Sequence, residues 1–218
     1  SLLLALLVLL PHNGIIAAGV VPEDLADYND RFDILFKTDI IIADKYGNFA
    51  PKTNIKRNEM CYTLAKLAGV STPAAQKQIF ADVDETTQYA SEIYALYNSK
   101  ILSGSGNGFF NPYDYVVTRD FLVAVVKILG YNDIAIANGG YPIGYTYAAR
   151  HLKLLDGVSG DTNSLLTKID FATIVRNAID CPLNEVDSLA LANAQLHLET
   201  AYKNFFRDKR KFLWRFKT

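Results

Sequence analysis

Apolar and polar positions along this chain follow a pattern that recurs after 61 residues. Residues 32–69 align without a gap on residues 93–130. The aligned pairs are Phe32 with Ile93, Leu35 with Leu96, Ile40 with Ile101, Gly47 with Gly108, Phe49 with Phe110, Pro51 with Pro112, Ile55 with Val116, Glu59 with Asp120, and Gly69 with Gly130. A repeat of this length is one supersecondary unit that buries its apolar face only against its copies. Function is therefore expected in the surfaces that the copies build together.

Each copy predicts two helices joined by a loop. In the second copy, apolar residues three and four apart over 89–99 predict an amphipathic helix. The glycine-rich segment 103–108 breaks that helix, and Pro112 requires an extended residue before it. The dense apolar run over 121–129 predicts a second helix, buried on most of its circumference. The first copy repeats the pattern, with helices over 32–37 and 58–68.

A third copy is fainter and needs two offsets. Its first helix, around 147–155, pairs Leu152 with Leu96, an offset of 152−96=56. Its second helix pairs Asp170 with Asp120, an offset of 170−120=50. The third loop is therefore expected to be about six residues shorter (56−50), and its surface to differ most from those of the other two copies.

These patterns predict an all-α protein.

The two ends of the chain lie outside the repeats. The apolar stretch 1–10 is too short to span a bilayer and is followed by small residues, as in a signal peptide. The basic and aromatic stretch 203–217 has two interpretations, a membrane-surface helix or a linker to a further domain, and we favour the linker. The predicted segments are a signal peptide (1–19), unit one (20–70), unit two (78–131), unit three (139–183) and a C-terminal tail (184–218).

Several motifs resemble the S-layer homology (SLH) family. The segment Ile55-Lys56-Arg57-Asn58-Glu59 is similar to that family's Ile-Thr-Arg-Ala-Glu signature, and 166–170 is a conservative version of it. Residues 139–145 resemble the lead-in to a third repeat in clostridial-type members. In unit two the similar motifs are Phe80-Ala81-Asp82-Val83, Tyr89-Ala90, Ile101-Leu102-Ser103-Gly104, Gly108-Phe109-Phe110-Asn111-Pro112 and Val116-Val117-Thr118-Arg119-Asp120.

This resemblance implies a fold and a function. Three units would form a pseudo-threefold assembly in which one helix per unit enters a central bundle. Grooves between neighbouring units would hold an acidic, often pyruvylated, secondary cell-wall polysaccharide or a peptidoglycan-linked polymer. The protein would then be exported and anchored without covalent chemistry at the cell wall, S-layer or cell surface. Neither an enzyme activity nor a cofactor is implied.

The resemblance also implies which cations contact the polymer. Arg57 matches the family's signature arginine, and a guanidinium at a helix N-terminus favours a carboxylate. Arg119 lies one residue beyond the position equivalent to Arg57, which turns it about 100° round the helix. Lys168 keeps the charge but not the planar fork. We therefore rank Arg57 first, Lys168 second and Arg119 third. The alternative for Arg57 is a surface ion pair or a packing role.

Other motif residues have structural interpretations beside the functional ones. Gly47 and Gly108 fit turns, and they would also let a sugar approach the backbone. The acids Glu59, Asp120 and Asp170 fit helix capping. Tyr89 aligns with an aromatic position of the family and is more typical of a core residue than of a sugar platform.

Composition and the remaining motifs exclude several classes of function. The chain is 50% hydrophobic and 21% charged with a net charge of −1, so it can bury a core and has no global nucleic-acid footprint. Cys61 is predicted in the core and Cys181 at a helix end, both as free thiols without metal-ligand companions. An interaction scaffold that keeps the fold without binding sugar remains the competing hypothesis. An enzyme would require paired acids roughly 5–10 Å apart in a groove.

Overall fold

The computed structural model describes residues 21–28, 30–72 and 78–184. The predicted signal peptide (1–19) and all of the tail beyond residue 184 lie outside these residues. Within them the chain forms two short 3-10 helices, Glu23–Tyr28 and Asp30–Phe32, and seven α-helices. The α-helices are α1 (Asp33–Lys37), α2 (Arg57–Ala68), α3 (Ala90–Asn98), α4 (Thr118–Ile128), α5 (Asn132–Ala137), α6 (Ile143–His151) and α7 (Lys168–Asp180).

The predicted all-α class is confirmed, because the described residues contain helices and only isolated β-bridges. The repeat register predicts that the second helices of the three units begin near Asn58, Arg119 and Ile169. Each begins one residue earlier, which is within the normal disagreement over helix ends.

Backbone hydrogen bonds link the three units in a closed cycle. Ile55 N–H donates to the carbonyl of Leu166 at 3.0 Å. Val116 N–H donates to the carbonyl of Ile55 at 3.1 Å, and Leu166 N–H donates to that of Val116 at 2.8 Å. These three residues occupy equivalent positions, since 116−55=61 and 166−116=50. The predicted pseudo-threefold arrangement stays a prediction, and this cycle supports it.

Two further cycles lie at the first turns of α2, α4 and α7. The first N–H groups of a helix have no partner within the helix, so they must find one elsewhere. Here each helix donates to the loop of the next unit, and α7 donates to the loop of unit one. The donor–acceptor pairs are Arg57 to Asp114, Thr118 to Ser164, Lys168 to Thr53, Asn58 to Pro112, Arg119 to Thr162, and Ile169 to Pro51.

One apolar core runs through all three units. Leu64 of α2 and Val125 of α4 are fully buried in it. Phe121 and Phe171 bring α4 and α7 together, with ring centroids 5.0 Å apart. Cys61 is fully buried, as its position in the repeat predicts, and burial raises the pKa of its thiol.

In units one and two, the loop between the two helices is fixed by the carboxylate of an aspartate. The two oxygens of Asp82 accept hydrogen bonds from the amides of residues 110–111 at 2.8 and 2.7 Å. Asp24 accepts from the amides of residues 49–50, which are the equivalent positions 61 residues earlier. These bonds hold the loop against the start of its own unit.

In unit three the loop is fixed by Asp170, which belongs to the second helix of the unit. Its Oδ1 accepts from the amide of Ser159 at 2.9 Å, and its Oδ2 accepts from that of Gly160 at 3.1 Å. The capping role predicted for Asp170 is also seen in its backbone, because the Asp170 amide donates to the hydroxyl of the N-cap residue Thr167. The shortened third loop is thus held from the helix that follows it.

The alignment predicted for the first helix of unit three is wrong. That helix is α6, which begins at 143 and ends at 151, whereas α3 begins at 90 and ends at 98. The true offset is 143−90=53, so the loop is three residues shorter (53−50) rather than six. The cause is the small core face of α6, where Ala148 and Ala149 are buried. Leu152, the anchor of the sequence alignment, is the C-cap of the helix and is only partly buried.

Helix α5 is an addition that the repeat pattern did not predict. It packs against α6 at very short range, since a Cβ on Gly144 would lie 1.9 Å from the carbonyl oxygen of Ala135. Glycine at this position therefore permits the contact between the two helices.

Candidate functional site

Arg57 lies at the first turn of α2, where this helix meets the loop of unit two. Its Cζ is 4.5 Å from the centroid of the Phe110 ring, and its Nε donates to the Phe110 carbonyl at 3.0 Å. A second guanidinium nitrogen lies 3.4 Å from the carbonyl oxygen of Ser103. The side chain is therefore positioned by packing and by backbone acceptors, and it joins unit one to unit two.

Lys168 lines a cavity of about 390 Å³ that we call groove one. Its Nζ donates to Oε1 of Glu59 at 3.2 Å, so the first turns of α7 and α2 are joined by an ion pair. The lining consists of residues 41–45, Phe49, Ile55, Glu59, Tyr62, Thr63, Gln88, Tyr89, Lys168 and Phe171. All three units thus contribute to groove one.

Two tyrosines form one wall of groove one. The rings of Tyr62 and Tyr89 have centroids 5.3 Å apart. Burial raises the pKa of Tyr62 to about 12, and burial also raises the pKa of Tyr89, with the nearby Glu59 carboxylate adding to it. Both phenols therefore stay neutral near neutral pH and keep their hydroxyl groups as hydrogen-bond donors.

A second cavity, of about 610 Å³, lies where α7 meets unit one, and we call it groove three. It carries two cationic side chains, Arg31 and Lys52. Among the described side chains of its lining, the one acid is Asp170, whose two carboxylate oxygens already accept hydrogen bonds from the amides of residues 159–160. The lining consists of Tyr28, Arg31, Phe32, Lys52, Gly157, Ser159, Thr167, Ile169, Asp170 and Thr173.

Arg31 is held in place within groove three. Its Nη2 donates to Oδ1 of Asn177 at 2.7 Å. The amide nitrogen of Asn177 in turn donates to the carbonyls of Leu154 and Asp156, each at 2.9 Å. A Cβ on Gly157 would lie 3.1 Å from Nη1 of Arg31, so the glycine leaves room for the guanidinium.

Arg119 lies at the start of α4, which meets unit three at what we call the α4 junction. Its Nη1 donates to Oδ1 of Asn163 at 2.6 Å, and its Nε donates to the hydroxyl of Tyr141 at 3.0 Å. The Tyr141 hydroxyl donates to Oδ1 of Asp120 at 2.8 Å. The α4 junction therefore contains a complete polar network of four side chains.

Gly47 and Gly108 both have the positive φ that a turn role predicts, +82° and +78° respectively. A Cβ on either would meet no atom within 4 Å. Within the described residues, the linings of grooves one and three contain Lys168 but neither of these glycines, and neither Arg57 nor Arg119. The five residues predicted from sequence are thus distributed over different surfaces.

Comparison with known families and proteins bears on these surfaces. The family model of the S-layer homology domain matches residues 79–116. This segment begins near the start of unit two and ends at Val116, the residue of unit two that takes part in the hydrogen-bond cycle. Residues 79–116 are therefore similar to an S-layer homology domain. The sequence resemblance to the SLH family is thereby confirmed for this segment.

A cell surface protein of Thermoanaerobacter kivui is similar to a longer part of the chain. It is 28% identical over 165 residues, which cover 74% of this chain and 21% of that protein. The chain therefore spans about a fifth of the length of this relative.

The SLH motifs directed attention to the helix starts and missed the cationic residues of groove three. Arg31 and Lys52 lie outside the motifs that carry the resemblance. One signal was nevertheless present, because Tyr28 and Tyr89 stand 89−28=61 residues apart and line grooves three and one respectively. The repeat register thus relates the aromatic walls of the two grooves.

The described residues contain no cluster of three or more His, Cys, Asp or Glu side chains that could hold a metal ion. Among the same residues, no helix has both the length and the hydropathy needed to cross a bilayer.

Proposed function

We propose that this chain anchors an exported protein to the bacterial cell wall, by binding an anionic secondary cell-wall polysaccharide in the grooves between its units. The observation that carries the proposal is groove three, where two cations face a cavity large enough for a sugar residue. The SLH match and the similarity to a cell surface protein support a location at the cell surface.

Groove three fits a carboxylate better than the other surfaces do. Arg31 and Lys52 give it two positive charges, and its lining acid, Asp170, uses its oxygens on backbone amides. A guanidinium that is already oriented, here by Asn177, loses little rotamer freedom when it binds. We therefore add Arg31 and Lys52 to the proposed carbohydrate contacts.

Groove one supplies a second, weaker contact. Lys168 is ion-paired with Glu59, so an incoming carboxylate must compete with a carboxylate that is already present. The two tyrosines offer ring faces and hydroxyl donors, which suit the apolar faces and hydroxyl groups of a pyranose. Groove one is accordingly proposed to hold a sugar of the same polymer through stacking as well as charge.

Arg57 takes a different place in the proposal. Its guanidinium is engaged with Phe110 and with backbone carbonyls, so its main effect on binding is expected through the fit of unit one against unit two. The proposed order of contributions to binding is Arg31 and Lys52, then Lys168, then Arg57, and Arg119 last. This order differs from the one expected from the motif alone.

The proposal is tested by sedimenting the protein with purified native cell wall. We expect retention that resists moderate salt and is lost when the polysaccharide is stripped from the wall by acid. Equal retention on stripped wall would contradict sugar binding and would favour the interaction-scaffold hypothesis.

Single alanine variants then test the grooves. Loss of a charge-assisted hydrogen bond costs about 1.5–3 kcal/mol, so Arg31→Ala is expected to weaken binding of the purified polysaccharide about tenfold or more. Lys168→Ala should weaken it less. Arg150→Ala is the matched control, because Arg150 is an exposed arginine of α6 outside both linings. An equal loss in the control would mean that only net charge matters.

A further inference from the structure

The hydroxyl of Tyr141 occupies a specific chemical position at the α4 junction. It accepts a hydrogen bond from Nε of Arg119 at 3.0 Å and donates one to Oδ1 of Asp120 at 2.8 Å. The hydroxyl therefore links a cation to an anion, acting as acceptor toward one and donor toward the other.

A sugar hydroxyl has the same hydrogen-bonding capacity. It carries one donor and two acceptor lone pairs, as a phenol does in this geometry. Nε of Arg119 and Oδ1 of Asp120 are 3.9 Å apart, which leaves the Tyr141 hydroxyl bonded to both. The two side chains are 34% and 40% exposed, so a ligand from solvent can reach them.

Asn163 keeps this arrangement in place independently of Tyr141. Its Oδ1 accepts from Nη1 of Arg119 at 2.6 Å, and this bond orients the guanidinium from the other side. We therefore expect Arg119 to keep its position when Tyr141 is removed.

The corresponding position in unit two is different. Tyr141 stands 141−88=53 residues after Gln88, the same offset that relates α6 to α3. Gln88 lines groove one, where the cation and the acid, Lys168 and Glu59, contact each other directly. A phenol inserted between the cation and the acid is thus a feature of the α4 junction.

We infer that Tyr141 takes the place of a sugar hydroxyl between Arg119 and Asp120, and so excludes from the α4 junction the polysaccharide that grooves one and three accept. This inference rests on the proposed function. Tyr141 is then the residue that decides how many sugar sites the chain offers, and Arg119 and Asp120 form a hydroxyl-binding pair that is already occupied.

The experiment is a binding titration of purified wall polysaccharide against the wild type and Tyr141→Ala. We expect the variant to bind about three- to tenfold more tightly, because the hydroxyl-binding pair becomes available. The double variant Tyr141→Ala with Arg119→Ala should lose this gain and bind no more tightly than Arg119→Ala alone. Tyr113→Ala is the control, because Tyr113 and Tyr141 are both 57% exposed.

Several results would overturn the inference. Unchanged or weaker binding by Tyr141→Ala would mean that Tyr141 excludes nothing, and a gain that survives Arg119→Ala would place its origin elsewhere. If Tyr141→Ala does not fold, Tyr141→Phe removes the hydroxyl alone and is expected to give a smaller gain in the same direction, with no gain counting against the inference.

A second measurement separates this inference from the proposed function. If the wild type does not bind the polysaccharide at all, the proposed function fails. The inference is then decided by titrating ¹⁵N-labelled protein with methyl N-acetylglucosaminide at millimolar concentration, observing the Nε–H signal of Arg119. A shift in Tyr141→Ala with none in the wild type supports it, and no shift in either overturns it.

Discussion

The guanidinium of Arg57 lies over the ring of Phe110 at 4.5 Å and donates to the carbonyl of the same residue. Ring and carbonyl belong to unit two, whereas the arginine belongs to unit one. A residue expected from its motif to face a ligand is therefore also part of the contact between two units.

This contact changes what is expected of Arg57→Lys. The motif alone predicts weaker wall binding with nearly unchanged stability. A lysine keeps the charge, but its single ammonium group cannot both lie over the ring and replace the hydrogen bond from Nε of the arginine. We therefore expect the free energy of unfolding to fall by about 1–2 kcal/mol. Urea denaturation measures it, with the exposed Arg150→Lys as control. Unchanged stability would mean that the packing of Arg57 contributes little.

Truncation of Leu64 tests the shared core. Leu64 is fully buried, so Leu64→Ala should lower the free energy of unfolding by about 2–5 kcal/mol. Leu165→Ala is the matched control, since Leu165 is 44% exposed and its truncation should change stability by about 0.5 kcal/mol or less. Similar losses for the two variants would contradict the burial described here.

Asn58→Ala is expected to stabilise the protein. Asn58 is buried, and its Oδ1 accepts no hydrogen bond from the described residues. An unsatisfied buried polar atom costs about 1–3 kcal/mol, so removing it should raise the free energy of unfolding by about 1 kcal/mol after the lost packing is counted. Asn177→Ala should do the opposite, because the Asn177 side chain bonds to Arg31 and to two carbonyls. Thermal melting of both variants compares them directly.

Two glycines should respond very differently to alanine. Gly144→Ala would place a Cβ 1.9 Å from the carbonyl oxygen of Ala135, so the backbones of α5 and α6 must separate, at a cost of about 3 kcal/mol or more. Gly47→Ala meets no neighbouring atom and pays only for its positive φ, about 1 kcal/mol. Denaturant unfolding that ranked Gly47→Ala as the worse variant would disprove the close approach of the two helices.

The raised pKa of Tyr62 predicts that the protein loses stability in alkali. Burial raises its pKa to about 12 from an ordinary value near 10, so the folded state holds the phenolic proton more tightly than the unfolded chain does. This contribution to stability is fully present below about pH 10 and is lost as the pH rises through about 12. The free energy of unfolding should therefore fall less steeply with pH in Tyr62→Phe than in the wild type. Parallel curves for the two proteins would contradict the raised pKa.

The sequence predicted the helices that have large apolar faces. The run from Phe121 to Leu129 is dense enough to define α4, and the repeat register located its start to within one residue. The same method failed for α6, because Ala148 and Ala149 give too weak a hydrophobic signal to compete with Leu152. Helix α5 was missed because the aligned repeat ends at Gly130 and does not extend to the residues of this helix.

The candidate site was less predictable than the fold. Motif matching found Lys168, which lines groove one, because the motif lies at a helix start. It could not find Arg31 or Lys52, since the cavity that they line is completed by residues of unit three. The role of Tyr141 also depends on a contact across units, and its distance of 141−119=22 residues from Arg119 corresponds to no helical or strand spacing.

The cycle of hydrogen bonds limits how large the assembly can become. In an open solenoid the terminal copy leaves donors exposed, and another copy can always be added. Here the amide of Lys168 reaches back to Thr53 across 168−53=115 residues of chain, so unit three closes the cycle on unit one. A fourth copy would find every one of these donors and acceptors already in use. Duplication of a unit within the gene would therefore have to displace an existing partner, and it could not simply lengthen the array.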